Sequence, residues 1–167
     1  IQHKLFYLIL LMTSLMCSIT QAQAGQMYYG FKLAYFDMDA YAVDDPDNAG
    51  VVVGYDWDND YGSIGVEGDF TTTFEAGKST TESLEMDTAG VYGVYRTRKA
   101  ANRKMGPYLK VKAGAAYTDI TLGNNSEDDT NFSAGIGLGL NMTVVSFELE
   151  YTSIADDIDM INLLIRF

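Results

Sequence analysis

Residues 131–142, NFSAGIGLGLNM, separate cleanly when every second residue is read. Phe132, Ala134, Ile136, Leu138 and Leu140 fall on one side, and Ser133, Gly135, Gly137, Gly139 and Asn141 on the other. A period of two marks a strand, because successive side chains point to opposite faces. One face is apolar and the other carries almost no side chain. Glycines weaken a strand entropically, so this strand suits a wall whose inner face is crossed by bulky neighbours and whose outer face meets lipid. Those demands point to a small transmembrane β-barrel. A dinucleotide loop does not fit, since the last glycine of G-x-G-x-x-G would fall on Leu140. Gly135 and Gly139 form G-x-x-x-G, but the apolar run is about half the ~20 residues a membrane helix needs. On pattern alone, a buried strand of a soluble barrel is the alternative.

Residues 1–24 read as a signal peptide that is cleaved. His3 and Lys4 precede an apolar run over residues 5–19, and Ala22-Gln23-Ala24 supplies a small-x-small site. The barrel domain is then expected over residues 25–167. Cys17 is a poor lipid-attachment site, because Met16 stands where a small residue is wanted. The only His and the only Cys leave with the leader. Residues 25–167 therefore offer no imidazole, no thiol and no disulfide. The formal charge is −12 before the leader's Lys4 is lost, and such an acidic chain is not expected to bind nucleic acid. No stretch after the leader is long and apolar enough for a membrane helix, but closed barrels cross bilayers with strands of about 9–11 residues.

Eight alternating segments are expected, at residues 28–36, 50–57, 63–74, 84–96, 108–120, 131–142, 144–153 and 158–167. Seven place apolar residues on one face and charges on the other. Tyr29, Phe31, Leu33 and Tyr35 oppose Lys32, for example, and Phe147, Leu149 and Tyr151 oppose Glu148 and Glu150. The fourth segment alternates poorly: Glu85, Asp87 and Tyr95 point inward if Met86 points outward, and a bulge could shift the phase. The fold expected is all-β, an eight-stranded antiparallel up-and-down transmembrane β-barrel. Short links near residues 58–60 and 142–143 suit periplasmic turns. Longer links at residues 37–49, 75–83 and 121–130 suit external loops. The link at residues 97–106 is long and basic, with Arg98, Lys99, Arg103 and Lys104; a solvated turn is the plain reading, and contact with anionic lipid heads or the cell wall the sharper one.

The leader, the eight segments, NFSAGIGLGLNM, VYGVYRT, PYLKVKAGAAY and the final Ile165-Arg166-Phe167 resemble the small eight-stranded outer-membrane barrels of the OmpA/OmpX type. The resemblance covers residues 25–167. It implies a place in the cell outer membrane, partners in outer-membrane lipids, lipopolysaccharide and the barrel assembly machinery, and a monomer. It also implies that the terminal aromatic, Phe167, is part of the signal for barrel insertion. It is barely specific for function.

Few residue constellations suggest chemistry. Asp56 to Gly62 with Glu67 nearly spells a calcium loop, but Tyr61 stands where the glycine belongs. Acids gather in the outward links: Asp44, Asp45 and Asp47; Glu127, Asp128 and Asp129; Asp156 and Asp157. They read as a solvated rim, or as divalent-cation bridges to lipopolysaccharide phosphates. Ser-His hydrolysis lacks its imidazole after the leader is lost, so no catalytic residue, metal site or cofactor is assigned. Inward charges number four of each sign: Lys32, Lys110, Lys112 and Arg166 against Glu67, Asp69, Glu148 and Glu150. Eight strands leave an interior that side chains can fill, so these charges are expected to pair rather than stand free. The role expected is a non-enzymatic structural or surface-interaction protein, with acidic loops that contact an extracellular ligand. A small porin-like channel and a soluble periplasmic ligand-binding barrel are the alternatives.

Overall fold

The computed structural model describes residues 25–38, 46–78, 83–97, 105–155 and 158–167. The expected leader at residues 1–24, Asp44 and Asp45, the basic residues 98–104, and Asp156 and Asp157 lie outside the described residues. The strands are β1 (Gly25–Met38), β2 (Asp47–Asn59), β3 (Gly62–Glu75), a two-residue β4 (Gly77–Lys78), β5 (Ser83–Thr97), β6 (Gly106–Leu122), β7 (Asn125–Asn141), β8 (Ser146–Ala155) and β9 (Ile158–Arg166). Apart from β3 and β4, sequence neighbours pair antiparallel; β1 pairs with β9, and β3 pairs with β5, which closes the sheet. β4 is a stub beside Ser83 and Leu84, so the closed wall has eight strands. Closure leaves no open edge within the wall, which is why strands can cross a bilayer.

The outer wall carries a broad apolar band. Phe31, Leu33, Leu109, Ile136, Leu138, Leu149 and Leu163 all face outward and are exposed. Aromatic rings gather where this band ends. Tyr55 and Trp57 pack edge to face at 4.9 Å between centroids, near the turn joining β2 to β3. Phe167 stacks on Tyr29 at 5.8 Å and meets Phe31 edge-on at 6.5 Å. Backbone bonds run both ways between Tyr29 and Phe167, at 2.8 and 3.3 Å, so Phe167 continues the seam between β1 and β9.

Three expectations are corrected. The fourth segment, now β5, runs in one phase with no register shift against β3 or β6. Leu84, Met86, Thr88, Tyr92, Val94 and Arg96 face inward, while Glu85 and Asp87 face out. The Tyr95 ring lies on the outer side, where its hydroxyl donates to the Tyr61 carbonyl at 3.0 Å. Second, residues 121–130 are not a loop. β6 and β7 stay paired up to Leu122 and Asn125 around a two-residue turn, with Gly123 at φ 59°. Such a turn needs positive φ, which glycine adopts without strain. Third, β8 begins at Ser146 rather than residue 144, since Met142 N–H donates to the Val145 carbonyl at 2.8 Å and holds that stretch as a turn.

The alternation has opposite polarity at the two ends of the barrel. At the loop end Ala34, Phe36, Leu84, Met86, Ala116, Ile120, Ile154, Ile158 and Met160 form a buried apolar cluster inside. Outside at that end stand acids in register: Asp37 opposite Asp159, and Asp87, Asp119 and Asp128 in one row across β5, β6 and β7. Polar outside and apolar inside is the pattern of a wall that stands in water. β5 alternates poorly against a lipid-facing pattern because it passes from one solvent to the other.

Candidate functional site

Below the apolar cluster the lumen is filled by charge. Among the described residues ten buried side chains contribute, five of each sign: Lys32, Arg96, Lys110, Lys112 and Arg166, with Asp56, Glu67, Asp69, Glu148 and Glu150. Each arises from an inward position of an alternating strand. Every wall strand supplies at least one except β7, whose inner face at this height is Gly135, Gly137 and Gly139.

The pairs form one connected chain. Lys32 Nζ lies 2.5 Å from Asp69 Oδ2, and Lys112 Nζ lies 3.7 Å from the same oxygen and 2.5 Å from Glu150 Oε1. Lys110 Nζ reaches Glu150 Oε2 at 2.7 Å, Glu67 Oε1 at 2.8 Å and Glu148 Oε2 at 3.0 Å. Arg96 joins Glu67 at 2.8 Å, Asp56 at 2.7 Å and Glu148 at 3.2 Å. Arg166 closes the chain through Asp56 at 3.0 Å and Glu148 at 3.4 Å. Tyrosines complete it. Tyr28 O–H donates to Glu67 at 2.8 Å, and its ring lies between two guanidiniums, 4.9 Å from Arg96 and 4.6 Å from Arg166. Tyr108 O–H donates to Glu148, and Lys112 sits 4.2 Å above the Tyr92 ring. A buried charge is tolerable where partners meet it at this density, and costly where one is missing.

The eight interior charges expected from the sequence all lie in this network. Sequence reasoning missed two members. Asp56 enters the sequence reading only as a candidate calcium ligand. Arg96 was obscured by the doubtful phase of its strand. The signal was present: Arg96 shares parity with Tyr92 and Met86, so a correct phase places it inside. The calcium-like run is divided among different tasks. Asp56 and Glu67 bind arginines in the lumen, Asp58 is exposed, and Asn59 Oδ1 accepts the N–H groups of Tyr61 and Gly62 at 2.8 and 3.0 Å.

The glycines of β7 have a defined use. Gly137 is in register with Lys110 on one side and Glu150 on the other, and Gly139 with Tyr108 and Glu148. The long side chains meet across them. A Cβ at Gly139 would lie 2.1 Å from Cζ of Tyr108, a ring tied down by its hydroxyl, whereas at Gly137 the nearest atom is 3.1 Å away. Gly139→Ala should therefore destabilise by about 1–3 kcal/mol through overpacking, and Gly137→Ala by less. Urea midpoints of the two variants refolded in the same detergent check the order.

Between the charges and the apolar cluster lies a layer of neutral polar groups. Thr71 and Thr88 hydroxyls bond at 2.7 Å, and Asn48 Nδ2 donates to the Met86 carbonyl at 2.5 Å. Thr73 Oγ1 accepts from Met86 N–H at 2.7 Å, above the last β3–β5 pair. At the turn end a cavity of about 650 Å³ opens to solvent, with Asp56, Arg96 and Arg166 among its lining residues. The guanidiniums there already face carboxylates.

A family model described as "Outer membrane protein beta-barrel domain" matches residues 8–162. Among solved structures, the attachment invasion locus protein Ail of Yersinia pestis is similar, with a TM-score of 0.53 and 22% identity over 86% of this chain and 97% of that one. Neisserial surface protein A gives a TM-score of 0.59 and 11% identity over 86% and 98%. The outer membrane enzyme PagL gives 0.50 and 17% over 83% and 98%. At these identities the likeness concerns the fold. No curated protein matches the chain.

Proposed function

This chain belongs to the outer membrane protein beta-barrel domain family and lies in the cell outer membrane, and on that premise we propose that it is a non-enzymatic barrel, closed along its axis, that presents an acidic end to the cell exterior. The observation that carries this reading is the connected ion-pair network, roofed by the apolar cluster around Phe36, Met86 and Met160. An ion entering from the turn end meets paired charges first and apolar side chains next, neither of which offers it a hydrated path. The interior works as a pillar: it holds eight strands at fixed spacing while the loop end meets its partners.

Because one of the similar barrels is an enzyme, the fold leaves catalysis open. The chain's only histidine is His3, in the segment read as a leader, and a barrel without imidazole lacks the usual base for a serine nucleophile. The apolar wall suits lipid tails. The rows Asp37–Asp159 and Asp87–Asp119–Asp128 lie where lipopolysaccharide headgroups would meet the wall. Phe167, seated on Tyr29 and Phe31, is the aromatic of the last strand that the assembly machinery would engage. The chain acts as a monomer in this reading, since one chain completes the sheet.

Planar-bilayer recording tests the closed interior. Purified chain should insert without steady conductance, and a variant that empties both layers, with Lys110, Glu67, Phe36 and Met160 all replaced by alanine, should show measurable current. Steady, large conductance from the wild type would replace this reading with the small channel.

A further inference from the structure

The turn end of the lumen does not close. The charge network stops at Asp56, Arg96 and Arg166, which floor the cavity of about 650 Å³ that opens to solvent there. Beyond this floor the inward alternation runs one step further. Asp58 shares parity with Asp56 on β2, and Ser63 on β3 lies opposite both Asp58 and Arg96. Gln26 on β1 is in register with Asp56, and Asn141 on β7 with Ser146 on β8. Their side chains line the mouth as a ring of amides, hydroxyls and one carboxylate.

Floor and ring differ in what they can still bind. Arg96 is held by Asp56, Glu67 and Glu148, and Arg166 by Asp56 and Glu148. An ion that took one of these partners would strand the other. The ring is unoccupied by comparison. Among the described residues, no hydrogen bond or ion pair engages the side chains of Gln26, Asp58 or Ser63. Asn141 accepts the Ser146 hydroxyl through Oδ1 at 2.6 Å, which leaves its Nδ2 hydrogens to point at the cavity's contents. The turn from β7 to β8 stands half-way round the wall from β2 and β3. It supplies an apolar side to the mouth, with Met142, Val144 and Val145, and Val144 is 78% exposed.

We propose that this cup binds a neutral sugar ring. Each sugar hydroxyl both donates and accepts, which matches a ring of amides and hydroxyls around one carboxylate. The C–H face of the sugar packs on Met142, Val144 and Val145. A neutral ligand also leaves undisturbed a floor whose charges already cancel. The volume lies within the ~300–1,000 Å³ of small-molecule sites. Short turns of an outer-membrane barrel face the periplasm, so the sugar arrives from that side, as an N-acetylated amino sugar of a wall strand or as a free glucan. The site lies at the opposite end from the surface-interaction reading and does not rest on it.

The test uses the full chain, isotope-labelled and folded in phosphatidylcholine nanodiscs, because glycoside detergents would compete. Backbone amide spectra are followed during titration with triacetylchitotriose and with maltotriose. Shifts should appear at Gln26, Asp58, Ser63 and Asn141, and not around Asp119 and Asp128 at the loop end. A response to triacetylchitotriose alone marks the amino sugar as the ligand, and a response to maltotriose alone marks a glucan. Responses to both mark the pyranose ring itself. Asp58→Ala and Asn141→Ala should each weaken binding about fivefold, as loss of one net hydrogen bond implies. Neither change removes a member of the charge network. Inorganic phosphate, spermidine and N-acetyl-trialanine amide serve as controls. Silence with both sugars would overturn the proposal. Equal shifts with phosphate or spermidine would replace it with an ion site, and equal shifts with the blocked tripeptide with a peptide site. Unchanged affinity in both variants would place the sugar elsewhere and overturn it too. The probe comparison uses wild-type protein, so it stands even if a variant misfolds. Conductance is read separately, so the closed-barrel reading stands or falls on the bilayer alone.

Discussion

Glu148→Ala is expected to cost the folded barrel about 3–5 kcal/mol, the range for removing one partner of a buried ionic cluster. Glu148 is fully buried and faces Arg96, Lys110 and Arg166, and it accepts the Tyr108 hydroxyl. Truncation leaves three buried cations with one carboxylate fewer. Lys112→Ala should cost less than Glu148→Ala, because Glu150, which it abandons, keeps Lys110 at 2.7 Å. Urea titration of both variants in lipid vesicles, followed by the gel shift between boiled and unboiled protein, measures the difference. Equal, small losses would mean that the interior is wet and the charges separately hydrated.

Ile136→Arg should be the most damaging change on the outer wall, at roughly 2–4 kcal/mol near the bilayer midplane. Ile136 stands midway along the outward row Phe132, Ala134, Ile136, Leu138 and Leu140, and is 64% exposed. Its exposure is to lipid, so a guanidinium there has no water and no partner. Asn124→Arg, at the turn between β6 and β7, should change the midpoint little. The same assay reads both, and equal tolerance would reverse the assignment of the two faces.

The lipid-facing half of the barrel was legible because it obeys one rule along its length. Phe31, Val53, Val66, Val111 and Leu149 face out where alternation alone puts them, and the wall was counted correctly. Reading stopped where the rule changes. Glu85 and Asp87 look like inward charges if apolar always means outward, yet they stand above the lipid, where Met86 turns in among Phe36 and Met160. The same reversal disguised residues 125–130. SEDDT reads as a solvated loop, because a strand exposed on both faces has no apolar period to reveal it. Arg96 stays hidden as long as the phase of its strand is open. The pairing of charges needed more than parity, since the contact of Lys110 with Glu67 spans strands that are not neighbours.

The distribution of the ten interior charges along the chain bears on how the barrel assembles. β1, β2 and β3 together bring one cation and three anions; β5 and β6 bring three cations and none of the opposite sign; β8 and β9 bring two anions and one cation. Some runs of adjacent strands balance, such as β6 to β8 with two lysines and two glutamates, but the arginine links join strands far apart: Asp56 on β2 and Glu148 on β8 each serve both Arg96 on β5 and Arg166 on β9. A half-zipped sheet therefore leaves part of the cluster without its partners on the face that later becomes the lumen, and must keep that part wet. The last partners and dehydration arrive together, when β1 meets β9. Closure should be the cooperative event, with few stable intermediates on either side of it, and unfolding should be slow because the first seam to part must readmit water to the entire cluster.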